Sequence, residues 1–258
     1  RQATESSVSS VTKADLTKAH TMIFNPANLI IAVSGDFDEE KMLKTLDNAL
    51  ASWPKGARVS APPETPSGYT PAIYYVDQDV PQGGVMMGLR SIRRDDPDLA
   101  AAEIMNDILG GGGFSSRITK RVRSDEGLAY SAGSRLSPGT WDDGAWQASF
   151  QSKNPTVALA IDLILTEMAG IRDGEVTDEE MDVAKGSIIE TFPATFQSKH
   201  GTVSVFASDE LTGRDPGFWA GWRDRVRAVT KADVRRVANR LLNDDALVIV
   251  IVGDWGNI

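Results

Sequence analysis

The sequence has no cysteine, which removes disulfides and thiolate metal sites from consideration. That lack suits the cytosol and the periplasm equally. Histidine is almost missing as well, with only His20 and His200 present. Basic residues are in the minority, 27 against 36 acidic ones, for a formal charge of −9. No surplus of cations awaits a phosphate backbone, so nucleic-acid binding is disfavoured. Long apolar runs are also lacking. The longest, Leu247 to Val252, suits a buried strand and falls well short of a membrane span. What remains is a chain of 258 residues with 41% hydrophobic content, enough for a sizeable core and for one or two domains.

Two distant segments match without a gap. VTKADLTKAHTMIFNPANLIIAVSGD runs from Val11 to Asp36, and VTKADVRRVANRLLNDDALVIVIVGD from Val229 to Asp254. The offset is 229 − 11 = 218, and 10 of the 26 aligned positions are identical. Both segments read as one physical unit. Thr12 and Thr230 can cap a helix, with Asp15 and Asp233 three residues on, as in a capping box. Apolar residues follow at helical spacing (Leu16, Ala19, Ile23 and Val234, Val237, Leu241). Asn25 and Asn243 then mark a turn before a β-branched run that reads as a buried strand ending in Gly-Asp. A repeat of this period makes the first segment the tail of an earlier copy. The strand near Ile73 would have its counterpart at 73 − 218 = −145, so about 150 further residues are expected upstream of Arg1.

Between the repeats, Phe37 to Trp53 reads as a helix with acidic residues in its first turn. Pro54 to Pro71 holds five prolines and two glycines, the composition of an extended linker. These features divide the chain into 1–53, the end of a first homologous domain; 54–71, a linker; and 72–258, a second homologous domain. Strands are expected over 73–76, 84–89, 128–136 and 145–152. Helices are expected over 97–109, 115–123, 155–171, 177–191, 215–226 and 231–241. Strands, then helices, then a closing strand indicate an α+β sandwich.

The stretch with most chemical character is ILGGGGFSSRITKRVRSDEGLAYSAGS, from Ile108 to Ser134. One glycine would serve as a helix C-cap, whereas the four from Gly110 to Gly113 let a chain or ligand approach the backbone closely. No Gly-Lys-Ser/Thr follows, so this is not a phosphate loop. Taken alone, Arg123 reads as a surface arginine and Tyr130 as a packed strand tyrosine. The order helix, glycine run, Phe-Ser-Ser-Arg, basic helix, Arg-x6-Tyr resembles the second-half signature of the pitrilysin/insulinase/mitochondrial-processing family of zinc peptidases. Pro81-Gln82, the Gly-Asp strand ends and the late VTKADV helix fit it too, so the likeness covers essentially the whole chain.

The resemblance implies a duplicated two-layer α/β sandwich, with two similar halves around a chamber. It gives Arg123 and Tyr130 a catalytic role, reaching across to a peptide substrate held at the metal. It places Gly111, Gly112, Gly113, Phe114 and Ser115 near the entering peptide, where a strand edge could add β-pairing. The zinc of such proteins sits on an inverted H-x-x-E-H helix with a distal glutamate, the intervening glutamate activating water. Neither histidine here stands in that pattern. His20 aligns with Ala238 and reads as surface or packing, and His200 in QSKHG reads as solvated. Glu39-Glu40 and Glu179-Glu180 sit in helix first turns and need no catalytic explanation. The chain is therefore expected to hold no metal itself, with zinc in the intact protein bound by an upstream half. Expected partners are a peptide substrate and that half or a homologous subunit, with no nucleic acid and no membrane span. A bacterial periplasmic or cytoplasmic location fits the resemblance. A non-catalytic subunit or structural protein of the same fold is the alternative.

Overall fold

The computed structural model describes residues 3–63, 65 and 68–258. Those residues form two compact units, one of 1–63 with 195–213 and the other of 64–194 with 214–258.

The second unit is built on a five-stranded sheet. Its strands are β1 (Ala72–Asp77), β2 (Gln82–Arg90), β3 (Ala129–Ser137), β4 (Ala145–Lys153) and β5 (Val248–Gly253), in the order β1-β5-β2-β4-β3. β5 lies parallel to β1, with Tyr74 opposite Val250, and antiparallel to β2, with Val85 opposite Ile251. Period-two alternation gives the sheet one covered face and one open face. Val85, Met87, Leu89, Trp146, Ala148, Phe150, Ile249 and Ile251 are buried on one side. Tyr74, Met86 and Val250 lie exposed on the other.

The covering layer comprises α4 (Leu99–Asn106), α5 (Val157–Asp173), α6 (Asp178–Thr191), α8 (Trp222–Ala228) and α9 (Lys231–Leu241). Val234, Val237, Ala238 and Leu241 recur at helical spacing and are all buried, so α9 packs along one stripe. With the turn before it, α5 is long and apolar enough to cross a membrane by length and composition. Its stripe Val157, Ala160, Ile164, Met168, Ile171 nevertheless lies fully in the core, while Asp162, Glu167 and Arg172 fall elsewhere on the helix. The arrangement is the α+β two-layer sandwich expected from the order of elements.

The first unit contains α1 (Glu5–Ser9), α2 (Lys13–Ile23), α3 (Glu39–Leu50) and α7 (Lys199–Thr212). None of α1, α2 and α3 buries a residue, and of α7 only Asp209 is buried. The strand expected after Asn28 does not form: residues 29–34 carry no regular structure, unpaired among the described residues, and Leu29, Ile31 and Val33 are 39–44% exposed. The matching strand β5, by contrast, is held between β1 and β2. Helix α7 was also unforeseen. His200 stands in its first turn, exposed, beyond an N-cap in which Ser198 accepts from the Gly201 N–H at 2.9 Å. His20 is exposed on α2 and stacks on Phe24 at 4.8 Å.

Residues 54–63 carry no regular structure, and their start is tied down. The Asn28 Oδ1 accepts from the Val59 N–H at 2.7 Å, and the buried Asn25 donates to the Ala57 carbonyl at 3.4 Å. Glu64, Pro66 and Ser67 of the proposed linker lie outside the described residues.

Candidate functional site

The glycine run is shaped by what surrounds it. Helix α4 widens into a π-turn over Asp107–Gly111, and a 3-10 turn follows over Gly113–Ser115. Gly113 has φ +66°, a left-handed conformation that favours glycine. Gly110 packs against β3: a Cβ there would collide with the Ser134 backbone nitrogen, and one on Gly133 would lie 2.8 Å from the Gly110 carbonyl. The close approach inferred from the four glycines is therefore made by the chain's own strand, two backbones meeting at Gly110 and Gly133. Asn106 fastens the contact by accepting from the Ser134 hydroxyl at 2.8 Å and from the Trp146 indole N–H at 3.1 Å.

The basic helix is fixed in the same way. The Ser116 hydroxyl donates to the Gly113 carbonyl at 2.7 Å and lies 3.0 Å from that of Thr119, which donates to the Ala132 carbonyl at 2.7 Å. Ile118 and Val122 are fully buried beneath it. Its C-terminal part, Thr119–Asp125, is again π-helical, a geometry common where a side chain must be re-aimed. On β3 the register steps from Ala129↔Ser152 to Ala132↔Phe150, so one extra residue is accommodated at Tyr130–Ser131. Such a bulge bends the strand and redirects its side chains. Ala129 and Ala132 face the core, and Tyr130 stands 84% exposed. The packed tyrosine suggested by the residues alone is not what forms.

These devices bring three of the expected site residues together. The Arg123 guanidinium lies 4.6 Å from the Phe114 ring centroid and 4.7 Å from that of Tyr130. Neighbouring arginines are neutralised: Arg117 pairs with Glu180 at 2.6 Å and Arg121 with Glu126 at 3.4 Å. Among the described residues Arg123 has no carboxylate partner, in a chain with acid to spare. The guanidinium is held by π faces, and its in-plane N–H donors remain available. Gly111 and Gly112 lie against their own preceding turn, at Asn106 and Asp107. Ser115 turns back, its hydroxyl donating to the Gly112 carbonyl at 3.0 Å. It also lines a cavity of about 450 Å³ with Asp107, Arg117, Lys120, Arg121 and Glu180. None of Phe114, Arg123 and Tyr130 lines that cavity, so their cluster is a surface feature distinct from it.

Two carboxyls nearby have displaced affinities for protons. Burial pushes Glu103 up to about 7, with Asp107 adding to the effect and Arg214 opposing it. Burial raises Asp107 to about 6 against a hydrogen bond with Ser187. Two acids four apart on one helix do not make a metal site. No group of three or more His, Cys, Asp or Glu side chains suited to a metal exists among the described residues. A catalytic zinc does not fit the described residues.

A family model described as the peptidase M16 inactive domain matches residues 10–188. The chain belongs to the peptidase M16 inactive-domain family. An uncharacterised zinc protease of Mycobacterium leprae is 30% identical over 247 residues, 93% of this chain and 54% of that protein. A non-peptidase homologue of Helicobacter pylori is 30% identical over 195 residues, 74% of this chain and 44% of that protein. The solved peptidase M16 inactive domain from Pseudomonas fluorescens superposes with a TM-score of 0.87 at 26% identity, covering 96% of this chain and 59% of that one. This M16 chain thus spans about half the length of the curated relatives it matches. Asn106, Ser116, Thr119, Gly133 and Ser134, which hold the site in shape, escaped the sequence reading. A glycine inside a strand pattern was the one visible sign of a close backbone approach at Gly133.

Proposed function

We propose that this M16 inactive domain is the peptide-handling half of a two-half zinc metalloendopeptidase whose metal is held by the other half. Residues 1–53 would close that first half, 54–71 would join the two, and 72–258 would form the second. The observation that carries the reading is Arg123, half-buried and without a carboxylate partner among the described residues, beside Tyr130 and Phe114. An extended peptide entering at β3 presents carbonyl oxygens as acceptors. The Arg123 N–H groups and the Tyr130 hydroxyl donate to them, orienting the chain and stabilising negative charge that develops on a scissile carbonyl. Backbone recognition of this kind suits peptides of varied sequence.

The test is cleavage of an unstructured peptide by the intact protein. Loss of one such donor costs about 10²–10³ in rate in well-studied cases, so Arg123→Ala should lose about 10²-fold in kcat/KM with bound zinc unchanged. Tyr130→Phe should lose less. Undiminished cleavage by both variants would show the assignment to be wrong. The non-peptidase homologue supports a second reading, in which the intact protein is a non-catalytic partner that binds peptide without cutting it. An upstream half lacking H-x-x-E-H, with peptide affinity still lowered by Arg123→Ala, would decide for that second reading.

A further inference from the structure

The Phe114 ring has no evident structural purpose. It is 71% exposed, on the 3-10 turn after Gly113, and it does not belong to the hydrophobic residues that form or pad the core. Its aromatic contact is with the Arg123 guanidinium, at 4.6 Å. The turn beneath it is held by Ser116 on the Gly113 carbonyl, and Ser116 in turn meets Thr119 on the helix that carries Arg123. Turn and helix therefore keep a fixed spacing, and the ring is brought to the guanidinium by a braced backbone.

An arginine can be oriented in two ways. A carboxylate partner fixes it by occupying its donors and cancelling its charge. An aromatic face attracts the cation through the ring quadrupole and leaves the in-plane donors free. Arg117 and Arg121 follow the first pattern, with Glu180 and Glu126. Arg123 follows the second, with two rings and no acid.

We infer that Phe114 is a positioning residue: its ring, with that of Tyr130, aims the Arg123 guanidinium so that a peptide carbonyl meets uncommitted donors. This rests on the peptide-handling reading above and adds to it a residue that acts through Arg123. The apolar ring is the substitute for the acid that other arginines of the same helix possess. An acid in its place would hold the cation but consume the donors.

A double-mutant cycle on the intact protein tests this, with kcat/KM for an unstructured peptide and peptide Kd read on each member. Phe114→Leu keeps an apolar side chain without the π face. It should lose roughly two- to five-fold, the factor corresponding to an exposed cation–π contact. Phe114→Trp should recover most of that loss. In an Arg123→Ala background Phe114→Leu should cost nothing further. Because Phe114 is exposed and outside the core, its melting temperature should stay within about 2 °C of the parent's. The same loss in both backgrounds, or none in either, overturns the positioning role. An Arg123→Ala protein that binds and cleaves like the parent removes the peptide-handling reading and this inference together. A crippled Arg123→Ala protein in which Phe114→Leu still exacts its full factor removes only this inference.

Discussion

Helices α2 and α9 begin with the same capping box. Thr12 and Thr230 each accept from the backbone N–H three residues on at 3.2 Å, and Asp15 and Asp233 each accept from the threonine hydroxyl at 2.6 Å and its backbone N–H at 2.9 Å. Asn25 and Asn243 then form matching turns, accepting from the backbone N–H two residues later at 3.0 and 3.1 Å. Beyond that the two segments part. Val234 is fully buried and its counterpart Leu16 is 63% exposed; Leu241 is 7% exposed and Ile23 47%. One run of β-branched residues becomes β5, an interior strand of the sheet, and the other pairs with nothing described. Local hydrogen bonds need only neighbouring residues, so they form in both segments. Burial needs a sheet, and only the second segment has β1 and β2 beside it.

The largest effect should come from charging the matched apolar positions. Val234→Asp buries an unpaired carboxylate and should cost at least about 3 kcal/mol in urea unfolding, whereas Leu16→Asp in this chain should stay within about 0.5 kcal/mol. Equal costs would break the contrast. If an upstream half covers α2 in the intact protein, Leu16→Asp should become as damaging there as Val234→Asp, which sharpens it.

A smaller difference should appear with pH. Glu103, at about 7, and Asp107, at about 6, belong to the unit that contains α9, and both bind protons more tightly folded than in the ordinary carboxylate range. The folded state therefore carries more protons than the unfolded one between the ordinary values and about 7. Stability must rise as pH falls from 8 to 6, on the order of 1 kcal/mol, and fade as pH climbs back. Melting followed through tryptophan fluorescence should show this rise, and Glu103→Gln should flatten it. The smallest effect tests the similarity itself. Thr12→Ala and Thr230→Ala should each weaken their own helix by about 1 kcal/mol, read as faster hydrogen exchange in the first turn. A cap that mattered in only one copy would mean that tertiary context reaches even these local bonds.

The strands β2 and β4, the Gly-Asp end of β5 and the Thr-x-x-Asp boxes at Thr12 and Thr230 were legible because each depends on residues close in sequence. Residues 29–34 misled because β-branching shows fitness for a strand without supplying its neighbours. The motif from Ile108 to Ser134 named Arg123, Tyr130 and Phe114. Their meeting depends on a π-turn, a bulge and a Gly110–Gly133 contact, and none of these has a period that a linear reading detects. Nothing in the sequence shows that Asn106 and Asp107 lie beside Gly111 and Gly112.

The position of β5 has a bearing on how the chain is made. Ribosomes deliver β1 and β2 early, yet the strand that belongs between them is not translated until residues 248–253. Until then the facing margins of both strands have unmet N–H and C=O groups beside Val85, Met87 and Ile73. A nascent chain in that condition invites pairing with other chains, and such non-local closure is slow. Holdase chaperones should accordingly associate with polypeptides stalled before residue 248 and release once β5 has inserted.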